Sequence, residues 1–334
     1  MIESGDIINA RYHVLRELGD GAFGKTFEVK DTFIGDDKVI KVLKLNNSSN
    51  QRVIKLFIQE HQVLEKLDHP GIPKVEADGY ITFRCTHTED ILHGLVMEKI
   101  TGEDLGKWLK NNRITNTTQA INWLKQLLDI LAHVHSRNYS HRDIKPDNIM
   151  LKPDGQLVLI DFGTVKESIQ KYEKQTTPST VIGTPGYNSP EQENLSHINC
   201  TSDLFSLGRT FVHLLTGIYP GYDNFLKNPR TGKLLWRDKA PEISERFKVI
   251  IDWLIEYEPR NRPQNTQQIL DLLDETSENI FPVPIVFLSL ALNFVFLTLL
   301  AMGVTLTLGW KVLFLLVICG VGIFLVTPLI KYLL

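Results

Sequence analysis

The chain has 334 residues, enough for one large domain or two small ones, with 43% hydrophobic and 22% charged residues. Its net charge of −3 implies no broad attraction to nucleic acid or anionic lipid. Cys85, Cys200 and Cys319 are odd in number, far apart and without CxxC spacing, which argues against a disulfide framework or a zinc site and fits a reducing compartment.

The N-terminus has no basic segment followed by an apolar run, so no signal peptide is read. Strands are predicted at 12–18, 26–30 and 38–45, the last (KVIKVLKL) rich in β-branched and aliphatic residues. A helix follows over 52–67, with Val53, Phe57, Leu64 and Leu67 at helical spacing. Glu60 lies on that stripe, where a carboxylate needs a cationic partner. After HPGIP come a strand at 95–100, a long amphipathic helix over 121–136, an irregular segment at 141–150 and a strand at 157–160. A polar, Ser/Thr-rich stretch over 164–182 reads as a surface loop. Helical patterns return at 203–217, 244–257 and 264–274. Strands first and helices later suggest two lobes.

Three clusters carry chemistry. Gly19-Asp20-Gly21-Ala22-Phe23-Gly24 lies between two predicted strands, where glycines let a backbone approach phosphates. A dinucleotide site would need a helix next, and FEVK continues as a strand instead, so a strand–turn–strand phosphate lid is favoured over a dinucleotide site, and on this cluster alone a plain hairpin turn stands level with it. Lys41 shares a strand face with Val39, and Glu60 would give it a partner. The third cluster is His141-Arg142-Asp143-Ile144-Lys145-Pro146-Asp147-Asn148, followed by Asp161-Phe162-Gly163. Asn148 and Asp161 are hard oxygen ligands suited to Mg²⁺, Asp143 can orient a hydroxyl, and Lys145 adds positive charge for a phosphoryl group.

On these motifs the chain resembles the eukaryotic-type (Hanks-type) protein kinases, especially bacterial serine/threonine members, with GKTF and HPGIPKV similar to cyanobacterial ones. The resemblance implies an α+β, bilobal protein kinase fold, with a β-rich N-lobe and a helical C-lobe, over residues 12–273. It implies an ATP site of Leu18, Gly19, Asp20, Gly21, Ala22, Phe23, Gly24, Lys25, Thr26, Val39, Lys41, Glu60, Met97, Glu98, Ile100 and Met150. Within it the glycines cover the phosphates, Lys41 grips them and pairs with Glu60, Val39 and Met150 enclose the adenine, and Met97 is the gatekeeper. Asp143 becomes the catalytic base, Lys145 steadies the γ-phosphate, and Asn148 and Asp161 hold Mg²⁺, with Mn²⁺ as the alternative. Glu191 pairs with Arg262, Asp203 braces the catalytic loop, and Leu64, His141 and Phe162 pack as a spine.

HRDIKPDN and Thr184 in GTPGY point to protein serine/threonine substrates. Arg142 beside Asp143 suggests control by phosphorylation at one or more of Thr176, Thr177, Ser179 and Thr180. A pseudokinase scaffold is the competing function, disfavoured because Lys41, Glu60, Asp143, Asn148 and Asp161 are all present. A small-molecule kinase is weakened by the full GTPGYNSPEQ segment.

Residues 283–308 and 312–330 are uncharged, and each reaches the ~20 residues that span a bilayer core. After a linker at 274–282 they are expected to form a transmembrane helical hairpin, with Trp310 and Lys311 at an interface. The expected location is therefore a membrane, with the kinase domain cytoplasmic. The expected partners are protein substrates and membrane lipid, without nucleic acid. Self-association through the kinase domain or the tail is left open.

Overall fold

Alternation of apolar and polar residues builds the N-terminal half. This computed structural model describes residues 2–21, 24–44, 50–84, 90–163, 165–167, 183–194, 198–221 and 234–278. Six strands, β1 (Ile7–Ile8), β2 (Tyr12–Asp20), β3 (Gly24–Asp31), β4 (Asp37–Leu43), β5 (Tyr80–Arg84) and β6 (Ile91–Glu98), form one antiparallel sheet in the order β1-β2-β3-β4-β6-β5. Alternate residues from each long strand meet in one core: Tyr12 and Val14, Phe27 and Val29, Ile40 and Val42, Ile81 and Phe83, Leu92 and Val96. Asn9 and Ala10, at φ 56° and 53°, make the tight left-handed turn that joins β1 to β2.

Helix α1 (Gln51–Lys66) buries Phe57, Glu60, Val63 and Leu64, while Val53 is half-buried. Glu60 is thus a carboxylate on the buried face, 3% exposed.

The second lobe is helical. A short strand β7 (Glu103–Asp104) leads into a single turn, α2 (Leu105–Trp108), capped by the Asp104 side chain. Helix α3 (Thr117–Ser136) starts where the Asn116 side chain accepts the Thr118 N–H at 2.7 Å. Next come β8 (Tyr139–Ser140), a 3₁₀ turn at Pro146–Asn148, β9 (Ile149–Leu151), β10 (Leu157–Leu159) and β11 (Lys166–Glu167). They form two small antiparallel sheets, β10-β9-β7 and β11-β8, which frame the irregular segment at 141–148.

Helix α4 (Pro190–Glu193) has Pro at its first position, and α5 (Cys200–Thr216) runs through the lobe with Leu204, Leu207, Phe211, Leu214 and Leu215 buried. Gly217, at φ 70°, ends α5 in the left-handed cap glycine favours. Helices α6 (Glu245–Leu254) and α7 (Thr266–Glu278) complete the described chain. The chain divides into two compact units, Met1–Asp271 and Leu272–Leu334, and only 272–278 of the second, the end of α7, lie among the described residues.

The membrane location expected above is corrected: among the described residues no helix is long and apolar enough to cross a membrane. The longest, α3, has 20 residues but is broken by Asn122, Lys125, Gln126 and Asp129. The hairpin at 283–308 and 312–330, and the lipid contact that rests on it, lie outside the described residues. The linker expected from 274 is instead helical to Glu278, because α7 continues past the expected helix end.

Candidate active site

Two charged clusters meet between the lobes. In the first, β4 presents Lys41, α1 presents Glu60, and Asp161 follows β10. Lys41 Nζ donates to Glu60 Oε1 at 2.8 Å, to Glu60 Oε2 at 2.9 Å and to Asp161 Oδ1 at 2.7 Å. Burial opposes the charge on Lys41, but the carboxylates of Asp161 and Glu60 outweigh it and raise its pKa. The nearby Lys41 ammonium in turn pushes Asp161 down to about 2, against its own burial. Asp161 sits at φ 63°, a left-handed conformation that a non-glycine residue adopts at a cost of about 1–3 kcal/mol. Gly163 closes the cluster: a Cβ there would lie 3.0 Å from Lys41 Nζ and 3.1 Å from Glu60 Oε2.

In the second cluster, Lys145 Nζ donates to the Thr184 hydroxyl at 2.7 Å and lies 3.0 Å from Asp143 Oδ2. The Thr184 hydroxyl donates to Asp143 Oδ1, also at 2.7 Å. Asn148 Nδ2 donates to the Asp143 carbonyl at 2.8 Å and to Asp143 Oδ2 at 3.0 Å, which fixes the amide so that its oxygen stays available as a ligand.

The backbone under Asp143 is held from below. Asp203, fully buried at the start of α5, accepts the N–H groups of His141 at 2.9 Å and Arg142 at 2.8 Å, and His135 Nε2 lies 2.8 Å from the same carboxylate. Burial would raise the Asp203 pKa, yet His135 and the Arg142 N–H hold it below the ordinary carboxylate value. Arg142 itself is at φ 71°, so these bonds hold a strained residue in place. His141 and Phe162, 0% and 1% exposed, pack edge to face at 4.8 Å, with Leu64 also buried. Arg262 pairs with Glu191 through contacts of 2.6 and 2.9 Å, and Ser202 donates to Glu191 at 2.6 Å.

The glycine-loop residues form a hairpin rather than the start of a helix. Leu18, Gly19 and Asp20 end β2, while Gly24, Lys25 and Thr26 begin β3. Gly21 N–H donates to the Gly24 carbonyl at 2.9 Å. A Cβ on Gly24 would come within 2.6 Å of the Val42 carbonyl, so glycine lets β3 lie close on β4. Lys25 and Asp20 are engaged locally, Lys25 with Glu17 at 2.9 Å and Asp20 with Lys44 at 2.7 Å. Ala22 and Phe23 lie outside the described residues.

Val39 stands opposite Met97 across β4 and β6, and both are half-buried, as are Ile100 and Met150. The Glu98 N–H is already used by the Lys74 carbonyl at 2.8 Å. Thr176, Thr177, Ser179 and Thr180 lie outside the described residues.

Sequence reasoning did not single out His135 beneath Asp203, nor Gln192, whose side chain donates to the Arg142 carbonyl at 2.8 Å. His135 was findable as a histidine in the last turn of a helix whose apolar stripe skips it. Gln192 carries no such signal.

Comparison with known proteins follows the same lines. The family profile described as protein kinase domain matches residues 12–272. Serine/threonine-protein kinase C of Synechocystis sp. is 35% identical over 291 residues, covering 84% of this chain and 52% of that protein. Serine/threonine-protein kinase PknA of Nostoc sp. is 36% identical over 278 residues, covering 80% and 47%. The chain thus spans about half the length of these curated relatives. Among solved structures, the Mycobacterium tuberculosis PknI kinase domain matches at TM-score 0.61 and 21% identity, over 82% of this chain and 99% of that one, a likeness of fold.

Proposed function

The chain belongs to the protein kinase domain family, and from that premise we propose that it transfers the γ-phosphoryl group of ATP to serine and threonine hydroxyls of proteins. One observation carries this reading: a threonine hydroxyl, that of Thr184, already donates to Asp143 Oδ1 at 2.7 Å while accepting from Lys145. That is the distance and polarity a general base needs toward a substrate hydroxyl.

The residues divide the work as follows. Lys41, positioned by Glu60, neutralises phosphate oxygens on the N-lobe side. Gly19, Gly21 and Gly24 bring backbone close to the same phosphates. Val39 and Met150 enclose the adenine with Leu18, Met97 lies at its back, and the Ile100 backbone serves its edge. The Glu98 contribution falls to its carbonyl, because its N–H is engaged by Lys74. Asp143 accepts the proton of the attacking hydroxyl, and Lys145 balances charge on the transferring group.

A divalent cation fits the donor set. The Asn148 amide oxygen and the Asp161 carboxylate are hard oxygens, and Asp161 is held ionised by Lys41. Mg²⁺ or Mn²⁺ there would offset the negative charge of the phosphates.

Arg142 supports regulation by phosphorylation. Its Nε is buried without a partner among the described residues, a donor that suits a phosphate on Thr176, Thr177, Ser179 or Thr180. Phosphopeptide mapping of active protein should find at least one of these modified; an unmodified stretch contradicts that part.

The transfer reading is tested with the purified full chain, γ-labelled ATP, Mg²⁺ and myelin basic protein. Label is expected on phosphoserine and phosphothreonine. Label confined to phosphotyrosine, or none at all, overturns it.

A further inference from the structure

We propose that His213 is a positioning residue for the substrate-holding segment Gly183–Asn188, acting through the Tyr187 hydroxyl and releasing that segment when the imidazole gains a proton. The proposal rests on the kinase reading above and adds a residue to it. Thr184, in the same segment, touches Asp143 and Lys145, so whatever sets this segment sets the wall against which a protein substrate lies.

Besides the Thr184 contacts to the catalytic loop, the segment is held by α5 and the residues just after it. Arg209 Nε donates to the Gly186 carbonyl at 2.8 Å, and its terminal nitrogen donates to the Pro220 carbonyl at 2.5 Å. The Tyr219 hydroxyl donates to the Pro185 carbonyl. Tyr187, 4% exposed, turns inward and places its hydroxyl 2.6 Å from His213 Nδ1. The rings of Tyr187, His213 and Tyr219 pack on one another, with centroids 5.6 to 6.1 Å apart.

The direction of the Tyr187–His213 bond follows from what is available. Burial holds Tyr187 far above the ordinary phenol pKa, so it keeps its proton. His213 Nδ1 is the acceptor the structure places within its reach. Tyr187 therefore donates, and His213 is neutral with its proton on Nε2.

Protonation puts a second hydrogen on the ring, at Nδ1. The Tyr187 oxygen can then accept, but its own O–H loses its acceptor inside the protein, and a buried donor left unpaired is costly. The charged groups around the pair do not cancel this. Burial lowers the His213 pKa while Asp147, from the catalytic loop, raises it, and the net shift is downward. Arg209 on α5 faces Tyr187, with Glu193 of α4 on the Arg209 side. Because the folded pKa of His213 is lowered, the latch is intact at neutral pH and is lost as pH falls below the ordinary imidazole range.

The test uses the full chain with His213→Gln, His213→Leu and Tyr187→Phe. With myelin basic protein as probe, His213→Leu should raise the KM for that protein about tenfold, the equivalent of one lost hydrogen bond, and leave the KM for ATP and kcat within about twofold. His213→Gln keeps an acceptor that cannot be protonated. It should match wild type at pH 7.5 and lack the rise in protein KM expected of wild type toward pH 5.5.

Nitrogen-15 histidine spectra supply a readout independent of activity. They should show the His213 proton on Nε2 in wild type, and Tyr187→Phe should move its titration midpoint upward, because the donor that favours the neutral ring is gone. An unchanged protein KM in His213→Leu, an acid rise that survives in His213→Gln, or a neutral ring protonated on Nδ1 overturns the proposal. A wild-type chain that labels no protein overturns the kinase reading instead, and the histidine spectra still decide the Tyr187–His213 bond.

Discussion

Gly163 has no side chain where one would have to share space with Lys41 Nζ at 3.0 Å and Glu60 Oε2 at 3.1 Å. Gly163→Ala must push those groups apart by a few tenths of an ångström. Since small misplacements of positioning groups cost large factors in rate, kcat/KM should fall at least about tenfold with little loss of thermal stability. Activity within twofold of wild type would show that the ion cluster tolerates the shift. Asp161 makes a pH prediction. Its pKa is held at about 2 by Lys41, below the ordinary 3.8, so its charge is complete above pH ~4 and is lost only as pH falls through about 2. In Lys41→Met the largest attraction is gone and burial is opposed only by His141 and the Gly163 N–H, so the Asp161 carboxyl should titrate at higher pH. Carbon-13 carboxyl spectra would show the move, and an unmoved titration would contradict the assigned cause.

Between elements, the Glu191–Arg262 pair joins the start of α4 to the turn before α7, with both side chains buried. Arg262→Ala leaves a buried carboxylate unpaired, at a cost of about 3–5 kcal/mol. For a domain of this size that lowers Tm by on the order of 10 °C, readable by calorimetry; a change under about 2 °C would mean the pair is not holding this corner. Glu191 and Arg262 were legible in the sequence only through resemblance, since they lie 71 positions apart. The long elements were legible from pattern. The alternation in β4 and the helical stripe of α1 both follow from one-sided burial. β5 is absent from the predicted strands although Ile81 and Phe83 alternate with exposed residues, because two apolar positions are too few to stand out. Helix α2 has only four residues, shorter than any helical period can reveal.

Across the whole molecule, the candidate site draws on both lobes: Lys41 and Glu60 from one, Asp143, Asn148 and Asp161 from the other. A nucleotide that binds between them should stabilise the folded chain. At 100 times its Kd, ATP with Mg²⁺ is worth about 2.7 kcal/mol, so Tm should rise in wild type and rise much less in Lys41→Met at the same concentration. Equal shifts would place the nucleotide elsewhere. The sheet order β1-β2-β3-β4-β6-β5 was not legible at this scale, because α1 intervenes between β4 and the last pair and their order depends on packing between distant segments. The motif residues were legible because phosphoryl transfer needs a few groups whose order along the chain is readable even where their distances are not.

The most direct test of transfer at Asp143 is the steady-state rate of Asp143→Ala against wild type, both as full chain with ATP, Mg²⁺ and myelin basic protein. Loss of the general base should lower kcat by about 10²–10⁴ while the KM for ATP stays within about threefold. Equal rates in the two proteins, or equal absence of transfer, would contradict it.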